Sequence, residues 1–228
     1  MISIIIPTFN EAANITRLLQ FLQQNRLSLV NEIIVSDGGS KDQTIALAKK
    51  MGAITVLSPQ KSRAAQMNYG ATFATGSILY FIHADTLPPK SFGEDITAAV
   101  KNKVDCGRYK TKFDSTKWLL KLNAWFTRFD WFLCYGGDQT FFITKKLFAE
   151  IKGYNEEMII MEEYDLTARA KQQGQYKILA GKTLISARKY EGRTWLQVQR
   201  ANAAAIRLYK KGAPQQTIAN TYNKMLGI

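Results

Sequence analysis

Over the first hundred residues, short β-branched runs alternate with stretches of helical periodicity, and this alternation restricts the fold more than anything else in the chain. Ile2–Pro7 reads as a buried strand, nearly continuous in apolar residues and closed by a breaker. Asn10 is placed to cap the helix that follows. In that helix Ile15, Leu18, Leu19 and Leu22 recur at i, i+3, i+4 and i+7 and form one apolar face. Glu32–Ser36 is a second strand. Ser40 and Gln43 make a capping-box pattern for a helix reaching about Met51 and closed by Gly52. Ala53–Leu57 is a third strand. A helix over Ser62–Thr75 ends at Gly76, and Ser77–Ile82 is a fourth strand. Strand and helix in alternation predict an α/β fold with a mostly parallel sheet covered by helices. Ligands of such sheets bind beyond the carboxyl ends of the strands. Three polar clusters fall at those ends: Thr8–Glu11, Asp37–Ser40 and His83–Asp85.

The second half is less regular. Cys106–Phe113 reads as extended, and Trp118, Leu122, Trp125 and Phe129 share one helical face. For the aromatic stretch Trp118–Leu133, packing into the core is the favoured reading. An acceptor pocket, a dimer face and a membrane-contacting edge are the alternatives. A Gly136-Gly137 turn leads into Gln139–Ile143, a helix over Glu163–Gln173 stops at Gly174, and short strands are expected around Tyr176–Arg188. Thr194–Lys211 and Gln215–Leu226 read as two helices hinged at Gly212 and Pro214. There is no internal repeat and no linker that would divide the chain.

Composition narrows the classes. With 228 residues, 46% of them hydrophobic, the chain can bury a sizeable core. Cys106 and Cys134 are far apart and form no CxxC pair, which speaks against a disulfide framework or a cysteine metal site and for a reducing compartment. The apolar start is too short for a signal peptide, and no run approaches the roughly 20 apolar residues of a membrane span. A soluble or peripheral protein is expected. The formal net charge of +13 favours anionic partners such as nucleotides, nucleic acid or an acidic membrane face. The cations are dispersed, and no helix-turn-helix, zinc-finger or RNP signature is present, so nucleic acid is not expected. Walker A and GxGxxG patterns are also missing. Arg193, Arg200 and Arg207 are seven residues apart and Lys211 extends their face. With Trp195, Leu196, Ala203 and Ile206 they could make an interfacial helix on anionic lipid. The solvated side of a packed helix is the plainer reading.

Three constellations carry chemistry. In Asp37-Gly38-Gly39-Ser40, an aspartate after a strand can accept hydrogen bonds from a base or a ribose, and glycines let a ligand approach the backbone. The same residues also make ordinary turns. In His83-Ala84-Asp85, the carboxylate suits a divalent ion on a diphosphate, which takes only one or two protein carboxylates. His83, the only histidine, lines the same place or is simply packed. In Met161-Glu162-Glu163-Tyr164-Asp165, three acids at a helix start favour the macrodipole, or one of them is a general base.

In this order and spacing the clusters resemble the family-2 glycosyltransferases. Ile4–Glu11 is similar to that family's first strand and nucleotide loop, and Glu32–Thr44 to its second strand and base-contacting aspartate. Arg63–Gly70, Thr75-Gly76 and Leu79–Thr86 resemble the approach to its Asp-x-Asp motif. Gly136–Phe142, Gly153–Glu156 and Glu162–Leu166 resemble its acceptor loop and base region. The resemblance covers roughly residues 1–190 and is greatest to small bacterial members. It implies a Rossmann-like GT-A fold with a helical C-terminal tail, as a single domain over residues 1–228. Residues 1–105 would bind the nucleotide sugar, residues 106–228 would bind the acceptor and carry catalysis, and residues 194–228 would form the tail. The implied reaction is an inverting transfer from a nucleotide-diphosphate sugar to an acceptor hydroxyl, with Mg2+ or Mn2+, on the cytoplasmic side or at the inner face of the membrane. By position, Pro7, Thr8 and Glu11 would line the nucleotide pocket and Asp37 with Gly38 would meet the base. Arg63 would lie near ribose or phosphates, and Ala84 and Asp138 would contact substrate. Asp85, with His83 beside it, would hold the metal. Glu163 occupies the base position, with Glu162 and Asp165 as alternatives. Two departures stand out: His83 replaces the motif's first acid, and Glu163 replaces the usual aspartate. They keep open a protein that binds a nucleotide sugar without turning it over.

Overall fold

A computed structural model describes residues 1–25, 27–136 and 139–228. Its strands are β1 (Ile2–Thr8), β2 (Val30–Asp37), β3 (Ile54–Leu57), β4 (Ile78–Phe81), β5 (Thr86–Leu87), β6 (Cys106–Phe113), β7 (Phe141–Thr144) and β8 (Tyr176–Ile185). They form one sheet in the order β3-β2-β1-β4-β7-β6-β8-β5. The four leading strands are parallel, β7 is antiparallel to both its neighbours, and β6 and β8 run parallel. The helices are α1 (Ala12–Asn25), α2 (Thr44–Lys50), α3 (Arg63–Thr72), α4 (Phe92–Lys101), α5 (Trp118–Phe126), α6 (Lys145–Glu150), α7 (Glu162–Gln173), α8 (Trp195–Lys210) and α9 (Gln215–Leu226).

β1 is apolar along its whole length because both of its faces are covered. Ile2, Ile4 and Ile6 pack with Ile15, Leu18, Leu19 and Leu22 of α1, together with Phe92 and Ile96 of α4. Ile5, one residue out of phase, packs on the other side with Ala64 and Met67 of α3 and Leu166 of α7. Register then decides where the polar ends fall. Thr8 stands opposite Asp37, and Ile5 stands opposite Phe81, the last residue of β4. Phe81 in turn faces Phe141, the first residue of β7. The loops after β1, β2 and β4 therefore open on one edge, and the antiparallel β7 begins there.

Several local expectations are corrected. Asn10 does not cap α1; its amide N–H donates to Ser40 Oγ at 2.8 Å and its Oδ1 accepts from the Lys41 N–H at 2.8 Å. The Ser40/Gln43 capping box does not form, since Gln43 is the N-cap residue and makes no side-chain cap bond. Asp42 replaces both devices: its carboxylate accepts from the N–H groups of Ala12 and Thr44, each at 3.0 Å, so one residue serves two helix starts. The short strands expected near residue 180 are one ten-residue strand, β8. The largest correction concerns α5. Its aromatic face is not core: Leu120 is the one buried residue of the helix, while Trp118, Leu122 and Trp125 are exposed.

The tail is a pair of packed helices. α8 buries Val198, Ala201, Ala205 and Ile206, and α9 buries Ile218, Ala219 and Leu226. Of the apolar residues expected to face lipid, Ile206 is buried, and Trp195 donates its indole N–H to Asn123. Leu196 and Ala203, by contrast, are exposed. No helix among the described residues is long and apolar enough to cross a membrane.

Candidate active site

The sheet edge carries two carboxylate systems of opposite character. The first is the loop after β2. Asp37 is fully buried, and every acceptor position of its carboxylate is used by the protein. Oδ1 accepts from the N–H groups of Gly39 and Ser40 at 2.8 and 2.7 Å. Oδ2 accepts from the Thr8 and Ser40 hydroxyls at 2.8 and 2.6 Å. The Gly38 N–H donates to Thr8 O at 2.9 Å, which locks the ends of β1 and β2 together. Gly39 has φ +89, a conformation that disfavours side chains. A Cβ on Gly38 would collide with the Gln66 side chain of α3. Asp37 thus shapes the loop from within, and Pro7 and Thr8 are buried behind it.

The second system lies at the start of α7. Glu162 and Glu163 are both buried. Arg63, the first residue of α3, reaches them with Nη1 at 3.1 Å from Glu162 Oε1 and 3.8 Å from Glu163 Oε1. His83 Nε2 stands 3.4 Å from the same Glu163 oxygen. Neither Glu163 oxygen receives a hydrogen bond from the described residues, a costly condition for a buried carboxylate. Burial first, then the adjacent Glu163 charge, push the Glu162 carboxyl up to about 7. Asp165, by contrast, is held by Arg169 of the same helix at 2.5 Å. The backbone that presents the pair is strained: Met161, the N-cap residue of α7, is left-handed with φ +67. Such a conformation costs a non-glycine residue about 1–2 kcal/mol.

Between these systems, Arg188 joins two further carboxylates. Its Nη2 lies 3.0 Å from Glu11 Oε1 and 3.3 Å from Asp85 Oδ2. The hydrogen bond to Glu11 is the largest cause raising the Arg188 pKa. Ala84 is buried beside Asp85. Among the described residues no cluster of three or more His, Cys, Asp or Glu side chains could hold a metal. A divalent ion here would draw most of its oxygens from a diphosphate and water. Asp85 and Glu11 fit that arrangement, because two hard oxygen donors already converge on a single positive group. His83 does not join them, since its ring is aimed at Glu163. Arg63 likewise meets the glutamate pair. Asp138 lies outside the described residues.

Two residues escaped sequence reading. Arg188 opens the short turn that begins three residues past the end of β8, and the basic pair Arg188-Lys189 was the available signal. Asn68 of α3 donates to Tyr154 O at 2.9 Å and accepts from the Tyr154 N–H at 2.8 Å, tying the segment before α7 to α3. Asn68 lies within the Arg63–Gly70 segment that carries the resemblance, but nothing in the sequence shows its bond to Tyr154.

A mostly parallel sheet that brings a locked Asp-Gly-Gly-Ser loop, a carboxylate pair and an acidic residue after β4 to one edge has the layout of an α/β ligand site at strand ends. Residues 3–156 match the sequence pattern described as "Glycosyl transferase family 2", and the chain belongs to that family. An uncharacterized glycosyltransferase of Rickettsia felis is 30% identical over 95 residues, which are 42% of this chain and 32% of that protein. The chain thus matches about a third of that relative's length. The mannosyltransferase PcManGT from Pyrobaculum calidifontis, solved with GDP-Man and Mn2+, superposes with a TM-score of 0.71 at 16% identity, over 98% of this chain and 69% of that one. TarS from S. aureus, solved with UDP-GlcNAc, gives 0.69 at 16% identity, over 99% and 70%. At such identities the likeness shows the fold, GT-A, and the sequence expectation of that fold is borne out.

Proposed function

We propose that the chain transfers a glycosyl group from a nucleotide-diphosphate sugar to an acceptor hydroxyl, with inversion, and that Glu163 is the general base. The observation that carries this reading is the buried Glu163 carboxylate, which receives no hydrogen bond at the edge where the donor loops meet. An acceptor O–H would supply the missing donor. As the acceptor oxygen bonds to the anomeric carbon, its proton passes to Glu163. The bond from that carbon to the phosphate oxygen breaks, and its electron pair leaves with the nucleoside diphosphate. Arg63 and His83 hold the carboxylate in place, so the base is positioned before the acceptor arrives. Asp85, with Glu11 beside it, would hold Mg2+ or Mn2+, which supplies charge neutralisation for the departing diphosphate. Arg188 adds a fixed positive charge at the same place. The free thiols Cys106 and Cys134 suit the reducing cytoplasm, where we place the reaction.

The test is a panel of nucleoside diphosphates and nucleotide sugars, with and without Mn2+, read by thermal unfolding and by release of nucleoside diphosphate. A cognate donor at a hundred times its dissociation constant adds about 2.7 kcal/mol of stability. Asp85→Ala is expected to remove the Mn2+-dependent part of that shift. A folded protein that responds to none of the panel overturns the reading. A shift without turnover on any hydroxyl acceptor reduces it to binding alone.

A further inference from the structure

α5 presents an aromatic surface to solvent where a globular protein would bury it. Trp118 is 70% exposed and Trp125 45%, with Leu122 and Phe126 alongside. Past the helix end the surface continues: Phe126, Phe129 and Trp131 pack on one another, with Phe129 and Trp131 stacked at 4.6 Å, and Trp131 is 53% exposed. Contiguous apolar patches of this kind mark interaction sites.

The patch is held rigidly. Arg108 of β6, itself buried, donates to Thr127 O at 2.7 Å and Phe129 O at 3.1 Å, and so pins the carbonyls at the end of α5. A positive charge there also suits the helix dipole. Leu120, on the opposite side, anchors α5 against Tyr190, Val198 and Leu226.

Cations surround the aromatic surface. Lys117, Lys121 and Arg128 are exposed, and Arg128 lies over the Trp125 ring at 4.8 Å. Among the described residues no carboxylate is within ion-pair distance of these three or of Arg193. The nearby acid Asp130 is already taken by Lys171 and Tyr135. Beside the patch opens a cavity of about 210 Å³. Its walls include Trp118, Leu120, Tyr190 and Trp195, with Lys117 and Arg193 among its lining residues. Tyr190 lies in the same short turn as Arg188.

From this pattern we propose that the α5 face and its cavity dock on an anionic lipid bilayer, with the aromatic rings at headgroup depth and the cations against lipid phosphates. Tryptophan is the residue that settles at a membrane interface, and cations close to an anionic leaflet add about 1 kcal/mol each. A second copy of the chain fits less well. A two-fold contact sets the same patch against itself, and would oppose Lys117, Lys121 and Arg128 to their own copies. The proposal is independent of glycosyl transfer, since it concerns a surface away from Glu163.

The experiment is sedimentation with phosphatidylcholine vesicles, with and without phosphatidylglycerol, at physiological ionic strength. Wild-type protein is expected to sediment with the anionic vesicles and to remain in solution with the neutral ones. Lys117→Gln/Lys121→Gln is expected to lower partitioning about 30-fold, from about 1 kcal/mol per cation lost. Trp118→Ala/Trp125→Ala is expected to lower it on the order of tenfold or more. The thermal response to a nucleotide sugar should survive in both variants, separating loss of docking from loss of the donor site. Wild-type protein that stays in solution with anionic vesicles overturns the proposal, as does a lysine variant that sediments as well as wild type. A dimer that the tryptophan variant dissociates, without vesicle binding, would assign the face to a second copy instead.

Discussion

Asp37 and Glu163 are both buried carboxylates on one edge of one sheet, and the protein treats them in opposite ways. Asp37 accepts four hydrogen bonds and is spent on architecture. Glu163 accepts none from the described residues and has two positive or potentially positive groups near one of its oxygens. The first arrangement makes a loop stiff, so that backbone groups meet a ligand in a fixed pose. The second leaves a carboxylate short of partners, and on our proposal the acceptor completes its shell. Burial alone does not separate a structural acid from a reactive one; the count of satisfied lone pairs does.

The sharpest way to break this comparison is at the base. Glu163→Gln should lower kcat by about 10²–10⁴-fold, the usual span for a general base, while the donor-induced thermal shift persists. Asp165→Asn should leave kcat within about threefold and remove about 1 kcal/mol of stability, because its partner is Arg169. Single-turnover assays of both variants decide the matter, and the reverse ranking would make Asp165 the base. Next in size is Asp37→Ala, which leaves four donors facing an apolar methyl. We expect a loss of about 3 kcal/mol in urea unfolding, and a loss below 1 kcal/mol would show that the loop does not depend on it. The most diagnostic effect is one of pH. Folded Glu162 keeps its proton up to about 7, above the ordinary value of 4.5, so the folded state binds more protons than the unfolded chain in that interval. Stability therefore falls as pH rises from about 4.5 to 7 and then levels. The difference between wild type and Glu162→Gln should follow this curve, with an amplitude on the order of 3 kcal/mol. A pH-independent difference would remove Glu162 from the site's charge balance.

Much of the frame was readable because hydrophobic periodicity is a local signal. β1, β2, β4, α1 and α7 lie close to where strand and helix patterns put them, and the polar clusters at the strand ends do converge. What failed locally failed by competition. Ser40 could cap α2, but its hydroxyl oxygen accepts from the Asn10 N–H, and Asp42 takes over both helix starts. The α5 stripe was correctly read as one face and wrongly assigned to the core, since periodicity says which residues share a side and not what that side meets. The order of the three acids at α7 could not be resolved from spacing. Arg169 removing Asp165 and Arg63 reaching the pair are contacts made by the folded chain. Arg188 acts across 177 and 103 residues and Asn68 across 86, between segments with no sequence cue linking them.

Met161 gives the site a further property. Its left-handed backbone aims Glu162 and Glu163 at the sheet edge, and packing around the residue holds it in that conformation. A glycine at that position would relax a dihedral that costs about 1–2 kcal/mol, but it would also empty a buried side-chain site, at about 2–5 kcal/mol. The side chain's own burial thus carries the torsion, and the direction of the two glutamates depends on that packing.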